Sequence, residues 1–217
     1  MSKRTIKRVI RQCFDPLIRL ALPLGDFKRL LLEPAGLCEG EQVLDVGCGT
    51  GALAVLTKRL HHHTDVFGID WDANALDIAK VRAARAGVVI PFRHGTSSEL
   101  PFAEASLDHA FSTFVFHHLN REQKQQTLRE LIRVLQPGRA LHIADFGCPQ
   151  NWLMRLALVW IRLSHRLTTI SDNISGALPQ FVRAAGFEQV EETARLASVF
   201  GAVCVWQGRK LGTVPLA

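Results

Sequence analysis

The chain has 217 residues, 47% of them hydrophobic, which suits one well-filled core and calls for no second folding unit. Its formal net charge of +6 is moderate, so it demands neither nucleic acid nor an anionic membrane as a partner and excludes neither. The five cysteines (Cys13, Cys38, Cys48, Cys148, Cys204) are odd in number and scattered, with no C-x-x-C pair; this excludes a disulfide scaffold and makes a reducing cytoplasm the expected location.

In chain order, Lys3, Arg4, Lys7, Arg8 and Arg11 fall on one side of a helix, with Ile6, Val9, Ile10 and Cys13 on the other. Such a basic amphipathic helix either packs on the domain or docks peripherally on an anionic membrane surface. No uninterrupted apolar stretch or small-residue cleavage site follows it, so a secretory signal is not expected. Pro16, Pro23 and Pro34 divide the remainder, up to Gly40, into short helices. Residues 43–51, Val-Leu-Asp-Val-Gly-Cys-Gly-Thr-Gly, then form an apolar strand running into a tight turn. The helix opening at Ala52 and continuing to about Leu60 presents free backbone N–H groups at its N-terminus.

Residues 66–70 predict the next parallel strand, and it ends in Asp70. A helix is expected over 74–86, capped by Asp72 and ended by Gly87, followed by a strand over 88–92, a loop over 93–105 and a strand over 108–114. The helix over 122–135 carries Leu128, Leu131, Ile132 and Leu135 along one face, and Pro137-Gly138 separates it from a strand over 140–144. Strands alternating with helices of this length imply right-handed crossovers and a parallel sheet covered on both faces, an α/β doubly wound fold. Residues 152–167 predict a helix with Arg155, Arg162 and Arg166 on one stripe of a mostly apolar surface. It is too short and too interrupted to cross a bilayer, and its apolar side belongs to the core, to a pocket for a greasy acceptor or to a membrane surface. Finally, 188–195 and 199–207 are β-rich runs with no room for a crossover between them, so they pair antiparallel.

The glycine turn is where chemistry concentrates. Gly47, Gly49 and Gly51 allow the backbone to bend and a ligand to approach it closely, and Asp70 is spaced to accept hydrogen bonds from both hydroxyls of a ribose. A dinucleotide would satisfy this, since Gly47, Gly49 and Ala52 match G-x-G-x-x-A, and so would S-adenosyl-L-methionine. Asp45, two residues before the first glycine, favours the latter, because an acid there would lie near a cationic amino-acid end.

With these residues the chain resembles the class I S-adenosylmethionine-dependent methyltransferases, particularly the small-molecule branch that includes the ubiquinone and menaquinone C-methyltransferases. The resemblance continues through Gly-Ile-Asp-Trp-Asp (68–72), Gly-Thr-Ser-Ser-Glu-Leu-Pro-Phe (95–102), Ser-Leu-Asp-His-Ala-Phe-Ser (106–112), His-His-Leu (117–119) and Arg-Val-Leu-Gln-Pro-Gly (133–138), roughly half of the chain. It implies a Rossmann-like, mostly parallel seven-stranded sheet with a C-terminal antiparallel hairpin in a single domain spanning 1–217. An N-terminal helical segment (1–40), a cofactor-binding core (41–147), a helical insertion on the acceptor side (148–180) and a C-terminal helix and hairpin (181–217) would make it up.

The resemblance also implies roles. The turn from Gly47 to Gly51, including the small Cys48, would cradle the carboxypropyl end of the cofactor, Asp45 would support its ammonium group, Asp70 would take the ribose, and Trp71 would lie against the adenine. Thr96 and Ser97 stand where the family commonly has Asp-Ala, so a hydroxyl replaces an acid in adenine recognition, a loss of roughly 1 kcal/mol. Thr113, in Ser112-Thr113-Phe114-Val115 after the fourth strand, joins the cofactor contacts. His117, His118 and Asp145 are candidates for proton removal from an acceptor, although the histidines serve equally well as helix-start structure. No metal is expected, because His61, His62 and His63 are neighbours in sequence and do not converge on one ion.

The expected activity is methyl transfer to a small, apolar or aromatic acceptor. Nucleic acid is disfavoured, as no Asn/Asp-Pro-Pro-aromatic motif follows the fourth strand. A non-catalytic cofactor-binding protein of the same fold and an NAD(P)-dependent oxidoreductase are the alternatives, the latter without any tyrosine to work with. The acceptor, the atom methylated and the oligomeric state are not encoded in any motif.

Overall fold

The structure, a computed structural model, describes residues 24–148, 171–198 and 201–212. The basic segment within 1–23 and the arginine-striped stretch at 152–167 lie outside these residues. In chain order, α1 (Leu24–Leu32) leads through a 3-10 turn (Glu33–Ala35) to β1 (Gln42–Val46), α2 (Ala52–Leu60), β2 (Asp65–Asp70), α3 (Ala73–Arg85), β3 (Phe92–His94) and β4 (Leu107–Thr113). A second 3-10 turn (Phe116–His118) precedes α4 (Arg121–Val134), β5 (Leu135–Phe146), α5 (Ser171–Ile174), α6 (Leu178–Ala184), β6 (Phe187–Ser198) and β7 (Gly201–Lys210).

The strands form one seven-stranded sheet in the order β3-β2-β1-β4-β5-β7-β6. The first five are parallel, and β7 pairs antiparallel with both β5 and β6, so the doubly wound sheet with a terminal hairpin is present as expected. Alternation along the strands divides the core into two layers. Val43, Val203 and Val205 face the layer filled by Leu31, Leu53, Val55 and Ala83, while Leu44, Val46, Ala202, Cys204 and Trp206 face the layer filled by Leu128, Leu131, Val134, Leu178 and Val182. Strand order reverses at β1, which has β2 on one side and β4 on the other, and the carboxyl ends of β1 and β4 therefore open the crevice in which ligands bind in such sheets.

Local chemistry explains the helix boundaries. The Asp72 carboxylate accepts the Asn74 N–H at the start of α3, and at the start of α4 Asn120 and Gln123 form a reciprocal capping box. α4 ends at Val134, one residue earlier than expected. The N–H groups of Ala105 and Ser106 donate to the Arg133 and Val134 carbonyls, satisfying the helix end, and Leu135 turns extended to pair with Leu107. Pro137-Gly138 consequently lies within β5 rather than before it.

The third strand is also displaced, from the expected 88–92 to Phe92–His94. Val89 is 85% exposed, and Pro91 has no N–H to donate. Its carbonyl accepts the Gly68 N–H at 3.1 Å, so pairing begins there and runs onward. The hairpin strands extend beyond the expected 188–195 and 199–207 at both outer ends.

A polar cluster fastens the opposite, amino-terminal ends of β1, β4 and β5. Arg139 bridges Glu41 at 2.6 Å and Asp108 at 2.9 Å, and Asp108 also accepts the Gln42 N–H at 2.9 Å. His109 lies 3.4 Å from Glu41 and shares a hydrogen bond of 3.3 Å with His142, whose ring stacks on Phe111. Burial lowers the pKa of both histidines, that of His142 to about 3. The unfolded chain binds these protons near pH 6.5 and the folded chain resists them, so the stabilisation is present above pH 6.5 and is lost as the pH falls toward 3. Urea denaturation across this range is expected to show the loss, at up to about 1.4 kcal/mol per pH unit for each proton. His142→Gln should make it shallower.

Candidate functional site

The turn after β1 is tied to β2 by its own backbone. Gly47 and Cys48 both donate their N–H groups to the Ile69 carbonyl, at 2.8 and 3.0 Å, and the Gly49 N–H donates to Asp70 Oδ2 at 2.8 Å. Gly47 has φ of +68°, and a Cβ there would lie 2.3 Å from Val115 Cγ2. Gly49 is the reverse: a Cβ would meet nothing within 4 Å, so this is the open side of the turn. Cys48 is buried, and burial together with Asp45 and Asp70 pushes its thiol up, which suits a small filler and not a nucleophile.

Asp45 and Asp70 bracket the turn in different states. Asp70, at the end of β2, holds the Gly49 N–H on one oxygen and the Asp72 N–H, at 2.8 Å, on the other, and each oxygen keeps a second lone pair. Asp45 accepts the Ala54 N–H through Oδ2 at 3.1 Å, while its buried Oδ1 has no partner. Burial raises its pKa to about 7 against the pull of the Lys28 charge and of the Ala54 N–H. A buried carboxylate with a bare oxygen beside a glycine turn fits a ligand ammonium group, and Asp70 fits a vicinal diol.

The remaining expected cofactor contacts lie at or just after the carboxyl ends of β2, β3 and β4. Trp71 directly follows Asp70 and is 61% exposed, and its carbonyl is 2.9 Å from His94 Nε2. Thr96 is exposed and shares a hydroxyl hydrogen bond with Ser98, whereas the Ser97 hydroxyl is 2.8 Å from Thr127 and anchors the loop to α4. Glu130 and Arg133 reinforce that anchor by binding the Leu100 N–H and the Leu100 and Phe102 carbonyls. Thr113 ends β4, half-buried between β1 and β5.

A second group of residues meets the turn through Val115. Phe114 adopts φ of +57°, an uncommon conformation for a bulky residue, and its N–H donates to the Ala144 carbonyl at 2.8 Å. The chain then enters the 3-10 turn that carries His117. Asp145, at the end of β5 and fully buried, binds the His117 ring at Nδ1 (2.9 Å), the His117 N–H (3.2 Å) and the Phe146 N–H (2.7 Å). Two of its three hydrogen bonds are turned on His117. The Phe114 and Phe146 rings stand edge-on to the buried imidazole, and exposed His118 lies against it at 3.8 Å between ring centroids.

Lys124, Asp172 and Arg121 were not singled out by the sequence. Lys124 is wholly buried on α4, 3.5 Å from Asp172, which also binds Arg121 at 2.8 Å. Burial lowers the Lys124 pKa, and the Arg121 hydrogen bond holds the Asp172 carboxyl below its usual range. A lysine in register with Thr127, Leu128 and Leu131 on the buried stripe of a helix was the available signal. Among the described residues no group of three or more His, Cys, Asp or Glu side chains could hold a metal ion. No described helix is long and apolar enough to cross a membrane.

Comparison with known proteins agrees with this geometry. Residues 43–138 match the family described as methyltransferase domain. The chain is 30% identical over 188 residues to the demethylmenaquinone methyltransferase of Deinococcus radiodurans, covering 78% of this chain and 75% of that protein. It is 35% identical over 162 residues to an O-methyltransferase of Aspergillus nomiae, covering 71% and 67%. The fold is similar to that of the YcgJ protein from Bacillus subtilis, with a TM-score of 0.70 at 16% identity, covering 85% of this chain and 97% of that one. It is equally similar to a Haemonchus contortus phosphoethanolamine N-methyltransferase in complex with S-adenosyl-L-methionine, with a TM-score of 0.70 at 15% identity, covering 86% and 52%.

The state of Asp45 has a measurable signature in the unliganded protein. Its folded pKa of about 7 lies above the ordinary carboxylate value of 3.8, so its contribution is intact below pH 4 and is lost as the pH rises through 7, when the buried group must ionise. Asp45→Asn should lack this component, and the stability of wild type relative to the variant should fall between pH 4 and pH 8. A constant difference in denaturation midpoints would show that Asp45 ionises freely.

Proposed function

The chain belongs to the S-adenosylmethionine-dependent methyltransferases, and from that membership we propose that it methylates an apolar or aromatic small molecule whose proton is taken by His117. Methyl transfer from S-adenosyl-L-methionine to a small molecule is the activity its relatives share. The observation that carries the finer reading is the Asp145–His117 pair beside the glycine turn.

In this reading the open side of the turn at Gly47, Cys48, Gly49 and Gly51 receives the amino-acid end of S-adenosylmethionine, with Asp45 Oδ1 accepting from its ammonium group. Asp70 accepts from the ribose hydroxyls through its free lone pairs. The exposed Trp71 ring, with Thr96, Ser97 and Thr113, borders the rest of the cofactor. When bound, the cofactor supplies an electrophilic methyl group on a sulfonium, so the protein need not generate a covalent nucleophile of its own.

The residues around the acceptor have three tasks: orienting it, excluding water and accepting a proton. Phe114 and Phe146 give the acceptor an apolar wall beside the imidazole. Asp145, as a carboxylate, accepts from Nδ1–H of His117 and so fixes the tautomer in which Nε2 carries a bare lone pair. As the acceptor forms its bond to the methyl group, the proton it loses passes to Nε2, and Asp145 stabilises the imidazolium that results. The Deinococcus relative is named for demethylmenaquinone, and a quinone-type ring suits the aromatic wall proposed here.

Two measurements test this reading. Saturating S-adenosylhomocysteine should raise the melting temperature of the wild type, NAD and NADP should not, and Asp70→Ala should lose the shift. With isotopically labelled cofactor and a host small-molecule extract, mass spectrometry should detect a methylated product. His117→Ala should reduce its formation by about 10²–10⁴-fold while leaving the S-adenosylhomocysteine shift in place.

A further inference from the structure

On α5, which packs on the elements that carry His117 and Asp145, the chain buries a polar side chain that makes no hydrogen bond. Asn173, on α5, is 0% exposed, and neither its Oδ1 nor its Nδ2 has a hydrogen-bond partner. An amide buried with both ends unpaired is destabilising, and a native chain that keeps one has a use for it.

Its position is held firmly by its neighbours. The preceding residue, Asp172, is clamped by Arg121 through Nε and Nη2 at 3.1 and 2.8 Å and by Lys124 at 3.5 Å. The Asp172 and Asn173 carbonyls accept the Ala177 and Gly176 N–H groups at 2.9 and 3.1 Å. α5 packs on the 3-10 turn that carries His117 and on β5, which carries Asp145. Lys124 feels the charge of both Asp172 and Asp145, so the Asn173 neighbourhood and the His117 neighbourhood share one buried cation.

Charge narrows what the amide can receive. Arg121 and Lys124 are balanced by Asp172 and Asp145, so a carboxylate or ammonium on a ligand would enter unpaired, at a high desolvation cost. An amide offers one acceptor and one donor group and suits an uncharged oxygen in either role. We propose that Asn173 is a specificity-determining residue of the acceptor site, where its amide hydrogen-bonds an uncharged hydroxyl or carbonyl oxygen of the molecule that His117 serves. This assignment rests on the acceptor site proposed above and adds a polar requirement to an otherwise apolar enclosure.

The test uses protein saturated with S-adenosylhomocysteine and two matched probes, 4-propylphenol and propylbenzene, which differ by one hydroxyl. Ligand-observed NMR titration should show the wild type preferring the phenol by roughly tenfold. Asn173→Leu, which keeps the branched shape without the polar atoms, should bring the ratio near one, and Asn173→Ser, which keeps a hydroxyl, should retain part of the preference. The melting shift with S-adenosylhomocysteine reports folding and cofactor binding separately in each variant. An unchanged preference in Asn173→Leu overturns the assignment, with or without a gain in melting temperature, and so does failure of the wild type to bind either probe. Absence of the S-adenosylhomocysteine shift in the wild type overturns the cofactor reading and this proposal with it, and only that arm gives such a result.

Discussion

The close approach of Gly47 to Val115 governs the geometry of the crevice. With 2.3 Å between a would-be Cβ and the Val115 methyl group, the turn after β1 and the segment after β4 pack as one body. β1 and β4 are adjacent parallel strands, with Val46 in register with Ser112, so both segments leave the sheet side by side at the point where strand order reverses. The carboxylates around the glycine turn and the imidazole after β4 are thereby held at a set separation. Close-packed interiors resist the small displacements that would spoil such an alignment. Phe114, at positive φ between the two, is the strained residue this fit requires, and strain of this kind costs about 1–3 kcal/mol.

Two buried carboxylates show how environment divides their tasks. Asp145 receives three hydrogen bonds, two of them from His117 and all from the fold itself. Asp45 receives one and keeps a bare oxygen. The first is turned on the imidazole; the second is left incomplete by the fold and is suited to a cation from outside. The buried Lys124 plays a third part, linking α4 to α5 through Asp172 in a region that would otherwise hold too much negative charge.

Much of this was legible because the glycine turn is a local structure. The turn needs positive φ at Gly47, Gly49 and Gly51, the next strand must end in an acid, and the spacing between them follows from one helix and one crossover, so nine residues and Asp70 announce both fold and cofactor. The hairpin was equally plain, since two β-rich runs without an intervening helix have only one way to pair. The start of β3 was not, because the Val-Val-Ile run looks like strand while the pairing is decided by Gly68 and Pro91 on different elements. Asp145, Lys124 and Asn173 acquire their meaning from residues dozens of positions away. His117 could be singled out from its place after β4, but the carboxylate within hydrogen-bond distance of its ring lies 28 positions further along the chain.

The strand order carries a consequence for how the molecule is made. β7, the last of the described strands to be synthesised, does not sit at the rim; it is inserted between β5 and β6. As the polypeptide leaves the ribosome, β5 remains an open rim with unpaired amides, carrying Asp145 and the apolar Ile143 and Ala144, until β7 arrives opposite them. A nascent chain halted before Gly201 would hold the glycine turn and His117 yet expose this rim to other chains, so quality control should recognise such truncated products by it.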